Sequence, residues 1–183
     1  LGTIRAIAMG VPLGVIAANN IVRFTALNYL AKLLLVSSRS VNSLVWALLF
    51  VAIFGPGPLA GTMAIAFRSI GFVGKLFGEA LEEARPGPIE ALHATGAPWA
   101  SVFLKSYWPQ VVPAFWGIAL FRWDINVRES AVLGLVGAGG IGMAIDSAMN
   151  LFQWERVALM LAAIFAVVVI AELIVTFIRK RII

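Results

Sequence analysis

The 183-residue chain has no cysteine and a single histidine, His93. These absences exclude a disulfide framework, a thiolate metal site and a cluster of histidine ligands. Charge is also scarce, because Asp, Glu, Lys and Arg make up 13% of the residues, against roughly 25% in soluble domains. Hydrophobic residues reach 61%, more than a soluble domain of this size can bury. The composition excludes a soluble enzyme and a disordered chain, and it indicates a membrane protein.

Apolar residues occur in continuous runs rather than in alternation, which favours membrane helices over the strands of a barrel. The chain, residues 1–183, is predicted to be one all-α transmembrane domain. Because the sequence starts within an apolar run, we expect a partial chain that begins inside a transmembrane helix. The runs predicted as helices are Leu1–Ala18, Ser43–Gly55, Leu59–Leu81, Val111–Val136 and Val157–Ile178.

Basic residues are concentrated in three segments beside these runs. Lys and Arg accumulate in cytoplasmic loops, so Asn19–Asn42, Glu82–Trp108 and the C-terminus are predicted to face the cytoplasm. The net charge of +5 is therefore attributed to membrane topology, and no nucleic-acid partner is expected. The basic residues concerned are Arg23, Lys32, Arg39, Lys75, Arg85, Lys105 and the terminal Arg179, Lys180 and Arg181.

Within the second of these segments, the sequence PGPIEALHATGAPWASVFLKSYWPQ spans residues 86–110. Pro86 and Pro88 can begin a helix, and Gly96 and Pro98 end it. The helix predicted over Ile89–Thr95 has only about two turns and would be marginal in isolation. Either the segment is a surface linker, or the bundle or a partner holds the helix in place.

This segment resembles the signature loop of ABC-type importer permeases. The family pattern is Glu-Ala-Ala, three residues, Gly, nine residues, then Ile-x-Leu-Pro. The matching residues are Glu90, Ala91, Gly96 and Pro109, and the departures are Leu92, Ser106 and Trp108. The phrases LVWALLFVAIFGPGPLAG, IGFVGKLFGEALEE and FRWDINVRESAVLGLVGAGGIG are most similar to the phosphonate and phosphite branch of that family.

The resemblance implies a type I importer bundle in a bacterial cytoplasmic (inner) membrane, with the cytoplasmic segment, residues 82–108, coupling it to ATP hydrolysis. The coupling residues would be Glu90, Ala91, His93 and Gly96. The implied partners are two ATPase subunits, an extracytoplasmic substrate-binding protein, a second permease copy and the lipid bilayer. The chain lacks a G-x-x-x-x-G-K-[ST] phosphate loop. It is therefore expected to be non-catalytic and to bind no cofactor, with ATP and Mg on the partner subunits.

The fourth apolar run carries an unusual charged stretch, FRWDINVRES over residues 121–130. Each charge near the bilayer centre would cost about 2.5–3.5 kcal/mol. Helical geometry places Arg122, Asn126 and Glu129 on one face and the pair Asp124 and Arg128 nearly opposite. The helix therefore cannot face lipid. Either internal ion pairs fix its packing, or these five residues line a translocation path; selectivity for anions follows only from the family resemblance.

Glycines provide two further signals. Gly137, Gly139 and Gly142 fit G-x-G-x-x-G, but no strand–helix domain surrounds them, so a nucleotide site is rejected. Gly137, Gly139, Gly140 and Gly142 are instead predicted to form a gate or a packing contact. Small residues four apart let membrane helices approach closely. Such pairs are Gly10/Gly14, Gly57/Gly61 and Gly74/Gly78.

The resulting prediction is the transmembrane subunit of an ATP-driven importer for phosphonate- or phosphite-type oxyanions. Three alternatives stay open. The substrate could be another small solute, or the chain could be a passive channel. It could also be a membrane enzyme whose catalytic set is Arg122, Asp124, Arg128 and Glu129.

Overall fold

The computed structural model describes residues 1–22 and 24–182, and these residues form helices joined by short turns, with no strand among them. The all-α prediction is confirmed. Arg23, which contributed to the topology prediction, lies outside the described residues. The helices are α1 (Gly2–Ala17), α2 (Thr25–Ser40), α3 (Ser43–Phe54), α4 (Pro58–Glu82), α5 (Pro86–Ala94), α6 (Trp99–Val102), α7 (Trp108–Gly134), α8 (Ile141–Asn150) and α9 (Trp154–Ile182), with a π-helical turn (Phe103–Tyr107) between α6 and α7.

All five apolar runs are helical, as α1, α3, α4, α7 and α9. By length and composition, α4 and α9 could each cross a membrane, and the bent pair α2–α3 could supply a third span. In the most apolar part of α9 only 11% of the residues are buried. Its apolar surface therefore faces outward, as expected for a helix in contact with lipid or another subunit.

Helix α4 lies at the centre of the bundle and packs against α1, α2, α3 and α7. Its crossing with α1 depends on glycine. A Cβ atom at Gly14 would lie 2.6 Å from the carbonyl oxygen of Gly74, and one at Gly74 would lie 2.9 Å from that of Gly10. Two of the predicted glycine pairs thus meet each other and allow backbone contact between the helices.

The segment Asn19–Asn42 is mostly helix α2, which the apolar runs did not predict. Leu35 and Ser38 are buried, and the Ser38 hydroxyl donates a hydrogen bond to the carbonyl of Phe67 on α4. At Asn42 the helix axis turns by 93° into α3. The Asn42 side chain caps α3 by accepting a hydrogen bond from the Leu44 amide at 3.1 Å. The cytoplasmic placement of this segment stays a prediction.

Helix α5 is longer at its start than predicted, because Pro86 rather than Ile89 occupies its first turn. It is held through contacts with α6 and the π-helical turn, and Ile89 belongs to a buried cluster that also includes residues of α4 and α7. The other buried residues of this cluster are Ala18, Phe77, Leu81, Val102, Tyr107 and Val111. The segment 82–108 is thus held by the bundle and is not a free linker.

Candidate functional site: the polar faces of α7

The face of α7 that points towards α1 and α4 carries a buried hydrogen-bond network. Arg122 is only 2% exposed, and its Nε donates to Ser69 Oγ at 2.8 Å. Ser69 Oγ in turn donates to Asn126 Oδ1 at 3.1 Å. Asn126 Nδ2 donates to Thr3 Oγ1 at 2.9 Å. Three helices are therefore joined by polar contacts in an otherwise apolar interior.

Glu129 extends this network into an ion triad. Its carboxylate forms a hydrogen-bonded ion pair with Arg68 of α4, and its Oε2 lies 3.5 Å from Nη2 of Arg122. Both guanidinium groups also lie over the ring of Phe72, at 5.4 Å for Arg68 and 4.9 Å for Arg122. Two cations share one carboxylate, so this cluster carries one uncompensated positive charge.

The opposite face of α7 carries an exposed pair. Arg128 Nη2 lies 2.8 Å from Asp124 Oδ2 and 3.7 Å from Glu172 Oε2 on α9. The Arg128 side chain is 49% exposed and that of Glu172 is 63% exposed. The predicted pairing of Asp124 with Arg128 is confirmed, and so is the division of α7 into two polar faces.

The five predicted path residues therefore fall into two groups. Arg122 and Asn126 are buried and fix α7 against α1 and α4. Arg128 and Glu129 line an open cavity of about 300 Å³ beside the start of α3. Asp124 pairs with Arg128 and is only 16% exposed. The structure brings all five onto one stretch of α7, and their role in transport stays a prediction.

The predicted coupling residues lie on the outer surface of α5 and the turn after it. Glu90, Ala91 and His93 are exposed. Gly96 has φ +72°, a left-handed conformation that suits glycine after a helix. Burial raises the pKa of the nearby Tyr107 hydroxyl, which keeps that group neutral at physiological pH. A short helix, anchored on one side and open on the other, is thus available to a partner.

The glycine-rich turn joins α7 to α8 and also contacts the start of α4. The carbonyl oxygen of Gly137 accepts a hydrogen bond from the Gly57 amide at 2.9 Å. A Cβ atom at Gly139 would lie 2.5 Å from the Pro58 nitrogen, and one at Gly142 would lie 2.5 Å from the Gly134 Cα. Gly140 caps α8 with a positive φ. Gly139 and Gly142 therefore serve close packing; a gating role stays a prediction for the run.

The predicted site residues did not include three members of this cluster, Ser69, Thr3 and Arg68. The structure pairs Arg68 with Glu129, whereas Glu79 Oε1 lies 3.2 Å from Lys75 Nζ. Isolated Ser and Thr residues in apolar helices carry little signal, because they often bond their own backbone. Among the described residues, no cluster of His, Asp and Glu could hold a metal ion.

Comparison with known proteins identifies the family to which this chain belongs. Residues 10–183 match the family described as binding-protein-dependent transport system inner membrane component. The chain is 37% identical over 183 residues to the phosphate-import permease protein PhnE of Mycolicibacterium smegmatis. It is 37% identical over 180 residues to the phosphite transport system permease protein PtxC of Stutzerimonas stutzeri. These alignments cover 100% and 98% of the chain, which spans 34% of PhnE and 66% of PtxC.

The fold has a close counterpart among solved structures. A chain of the MetNI methionine ABC transporter, in an inward-facing conformation, matches with a TM-score of 0.84. The match covers 100% of this chain and 89% of the other at 21% identity, which supports the type I importer fold and nothing finer. With the family match over residues 10–183, the conclusion follows that this chain belongs to the inner-membrane permease family of ABC importers.

Proposed function

We propose that the chain is the transmembrane subunit of an ATP-driven importer for phosphonate- or phosphite-type oxyanions. The identity of 37% to two permeases named for phosphate import and phosphite transport supports this substrate class. The observation that carries the coupling proposal is α5, whose Glu90, Ala91 and His93 point outward while Ile89 anchors it. A helix that packs against the bundle on one side and is exposed on the other is suited to transmit force.

The proposed mechanism is rigid-body switching. Two partner ATPase subunits bind ATP and Mg and close on each other, and α5 moves with the subunit to which it docks. Helix α5 packs on α6 and on the π-helical turn that leads into α7, and Ile89 belongs to the buried cluster that includes Phe77 and Val111. Displacement of α5 would therefore act on the start of α7 through this turn. The bundle then exchanges inward-facing and outward-facing states, provided that nucleotide and substrate each favour one of them.

Two copies of the chain would enclose one path, and an extracytoplasmic binding protein would deliver the substrate to it. In this arrangement Arg128 and Glu129 border the path. Arg122, Asn126 and Asp124 hold them in position. The glycine run from Gly137 to Gly142 would close the outer end beside the start of α4. Carboxylates next to the arginines would prevent tight trapping of an anion in transit.

Co-purification tests the coupling proposal. Tagged protein extracted in detergent should bring the ATPase subunit with it, and Glu90→Lys should weaken that association because it reverses the charge at the exposed face of α5. Glu155→Lys makes the same change at the exposed start of α9, outside the segment 82–108, and should retain the ATPase. Equal recovery of the ATPase with both variants would refute docking through α5.

Uptake into proteoliposomes tests the substrate. The complete complex should accumulate radiolabelled phosphite or methylphosphonate only when ATP is supplied on the ATPase side. Methionine should not compete, although the fold neighbour is a methionine transporter. ATP-independent flux would instead favour a passive channel, and ATP-dependent uptake of methionine but not phosphite would favour another solute.

A further inference from the structure

A cavity of about 300 Å³ opens beside the bend between α2 and α3. Its polar lining consists of Asn42, Ser43, Arg68, Arg128 and Glu129. Ligand pockets of proteins start at roughly 300 Å³, so this cavity suits a small solute. Its apolar wall is formed by Leu44, Val132 and Leu133.

The two arginines of the cavity each have more N–H donors than their ion pairs use. Arg68 binds Glu129 through Nη1, and its Nε is buried without a hydrogen-bond partner among the described residues. Arg128 contacts both Asp124 and Glu172 through Nη2 alone. A guanidinium presents five N–H donors in a fork that matches an oxyanion. The cavity therefore brings together two cations whose internal partners use only part of their capacity.

The start of α3 adds favourable electrostatics to the same cavity. Ser43 is the first residue of α3 and is buried at its wall. The N-terminus of a helix carries a partial positive charge, and helix breaks in transporters direct such ends at anionic solutes. The 93° bend is what brings this helix start next to Arg68 and Arg128.

A second cavity provides the contrast. It has a volume of about 320 Å³, similar to the first, and lies between α4, α7, α8 and α9. Its lining includes Ser130 and Thr62 but no charged residue. Of these two cavities of similar volume, the one at the α3 bend is lined by arginines and the other has no charged residue in its lining.

We propose that the cavity at the α3 bend is a transit site for one tetrahedral oxyanion, held by Arg68 and Arg128. Glu129 competes with the anion for Arg68, so binding is weak enough for release. This inference rests on the proposed function, because the anion is taken to be the transported one, and it adds Arg68 to the residues of the path.

Thiol labelling tests the site directly, since the chain contains no cysteine. Val132→Cys places a thiol in the charged cavity, and the matched variant Ser130→Cys places one two residues away in the uncharged cavity. Each is reconstituted with its ATPase in lipid nanodiscs and labelled with an anionic or a cationic methanethiosulfonate. Because two arginines line the cavity at Val132 and no charged residue lines the cavity at Ser130, the anionic-to-cationic rate ratio should be higher at Val132→Cys.

Phosphite and methylphosphonate should slow anionic labelling of Val132→Cys and leave Ser130→Cys unchanged. In the Val132→Cys background, Arg128→Gln should abolish this protection, and Lys75→Gln, which removes a charge remote from the cavity, should preserve it. Equal rate ratios at both cysteines, or no protection at Val132→Cys in otherwise unaltered protein, would overturn the site even if Arg128→Gln failed to fold.

Failure of this inference can be told apart from failure of the proposed function. ATP-dependent uptake of phosphite without protection at Val132→Cys would leave the importer in place and refute this site. Protection by sulfate but not by phosphite or methylphosphonate would confirm an oxyanion site and refute the proposed substrate.

Discussion

Each polar face of α7 carries an arginine and a carboxylate, but the two faces differ in burial and in the partners of the arginine. On the inner face Arg122 is 2% exposed and is held by Ser69 and by Glu129. On the outer face Arg128 is 49% exposed and meets two carboxylates through one nitrogen. Because an exposed ion pair contributes little to stability and a broken buried pair costs much, Arg122 and Asn126 stabilise the fold, whereas Arg128, together with Arg68 and Glu129 of the triad, lines the open cavity.

The same contrast holds for the neighbouring helices. The inner face of α7 lies towards α1 and α4, whose backbones touch at Gly14 and Gly74. The outer face lies towards α9, most of which is exposed. In the proposed mechanism, the closely packed half would keep its shape while the exposed half changes partners.

The largest effect on the free energy of unfolding is expected from removing the carboxylate with which Arg68 and Arg122 both pair. Glu129→Gln leaves Arg68 and Arg122 without a carboxylate and should lower the free energy of unfolding by about 3–5 kcal/mol. Thermal unfolding of the purified complex, followed by tryptophan fluorescence, measures this loss. Adding Arg122→Met should restore part of the stability because it removes one unpaired cation. A loss below about 1 kcal/mol would mean that the triad is solvated and that the two faces do not differ.

The second-largest effect on the free energy of unfolding is expected at the backbone contact between α1 and α4. Gly14→Ala places a methyl group 2.6 Å from the Gly74 carbonyl oxygen and should cost about 1–3 kcal/mol through strain. Gly117→Ala is the matched control, because nothing lies within 4 Å of its added Cβ atom. Helix propensity should make that variant neutral or more stable by up to about 1 kcal/mol. Similar melting temperatures for both variants would contradict a tight crossing of α1 and α4.

Much of this architecture follows from patterns that are local in the sequence. Apolar runs predicted α1, α3, α4, α7 and α9, and helical periodicity placed Arg122, Asn126 and Glu129 opposite Asp124 and Arg128. The helices follow from the length of the apolar runs and the two faces of α7 from the 3.6-residue repeat, and neither needs knowledge of neighbouring helices. The prolines at residues 86 and 88 likewise predicted the start of a helix, because their missing N–H groups suit a first turn.

What the sequence did not predict depends on contacts between distant segments. Helix α2 was missed because its charged and polar residues interrupt the apolar run and its burial is supplied by α4. Ser69 and Thr3 became recognisable only when α4 and α1 placed them beside Asn126. The choice of Glu129 rather than Glu79 for Arg68 also required the position of α7, since Glu79 lies within reach of Lys75 on its own helix.

The smallest effect on the free energy of unfolding is expected at the contact between Arg128 and Glu172. Glu172→Gln removes one partner of Arg128, but the Glu172 side chain is 63% exposed and Asp124 at 2.8 Å remains. The free energy of unfolding should therefore change by about 0–1 kcal/mol, as in the matched exposed variant Lys75→Gln. The same fluorescence melt, run beside Glu129→Gln, measures the difference between the two faces. If Glu172→Gln were as destabilising as Glu129→Gln, the edge between α7 and α9 would have to be buried in the assembled transporter, and a second copy of the chain rather than water would then cover Arg128.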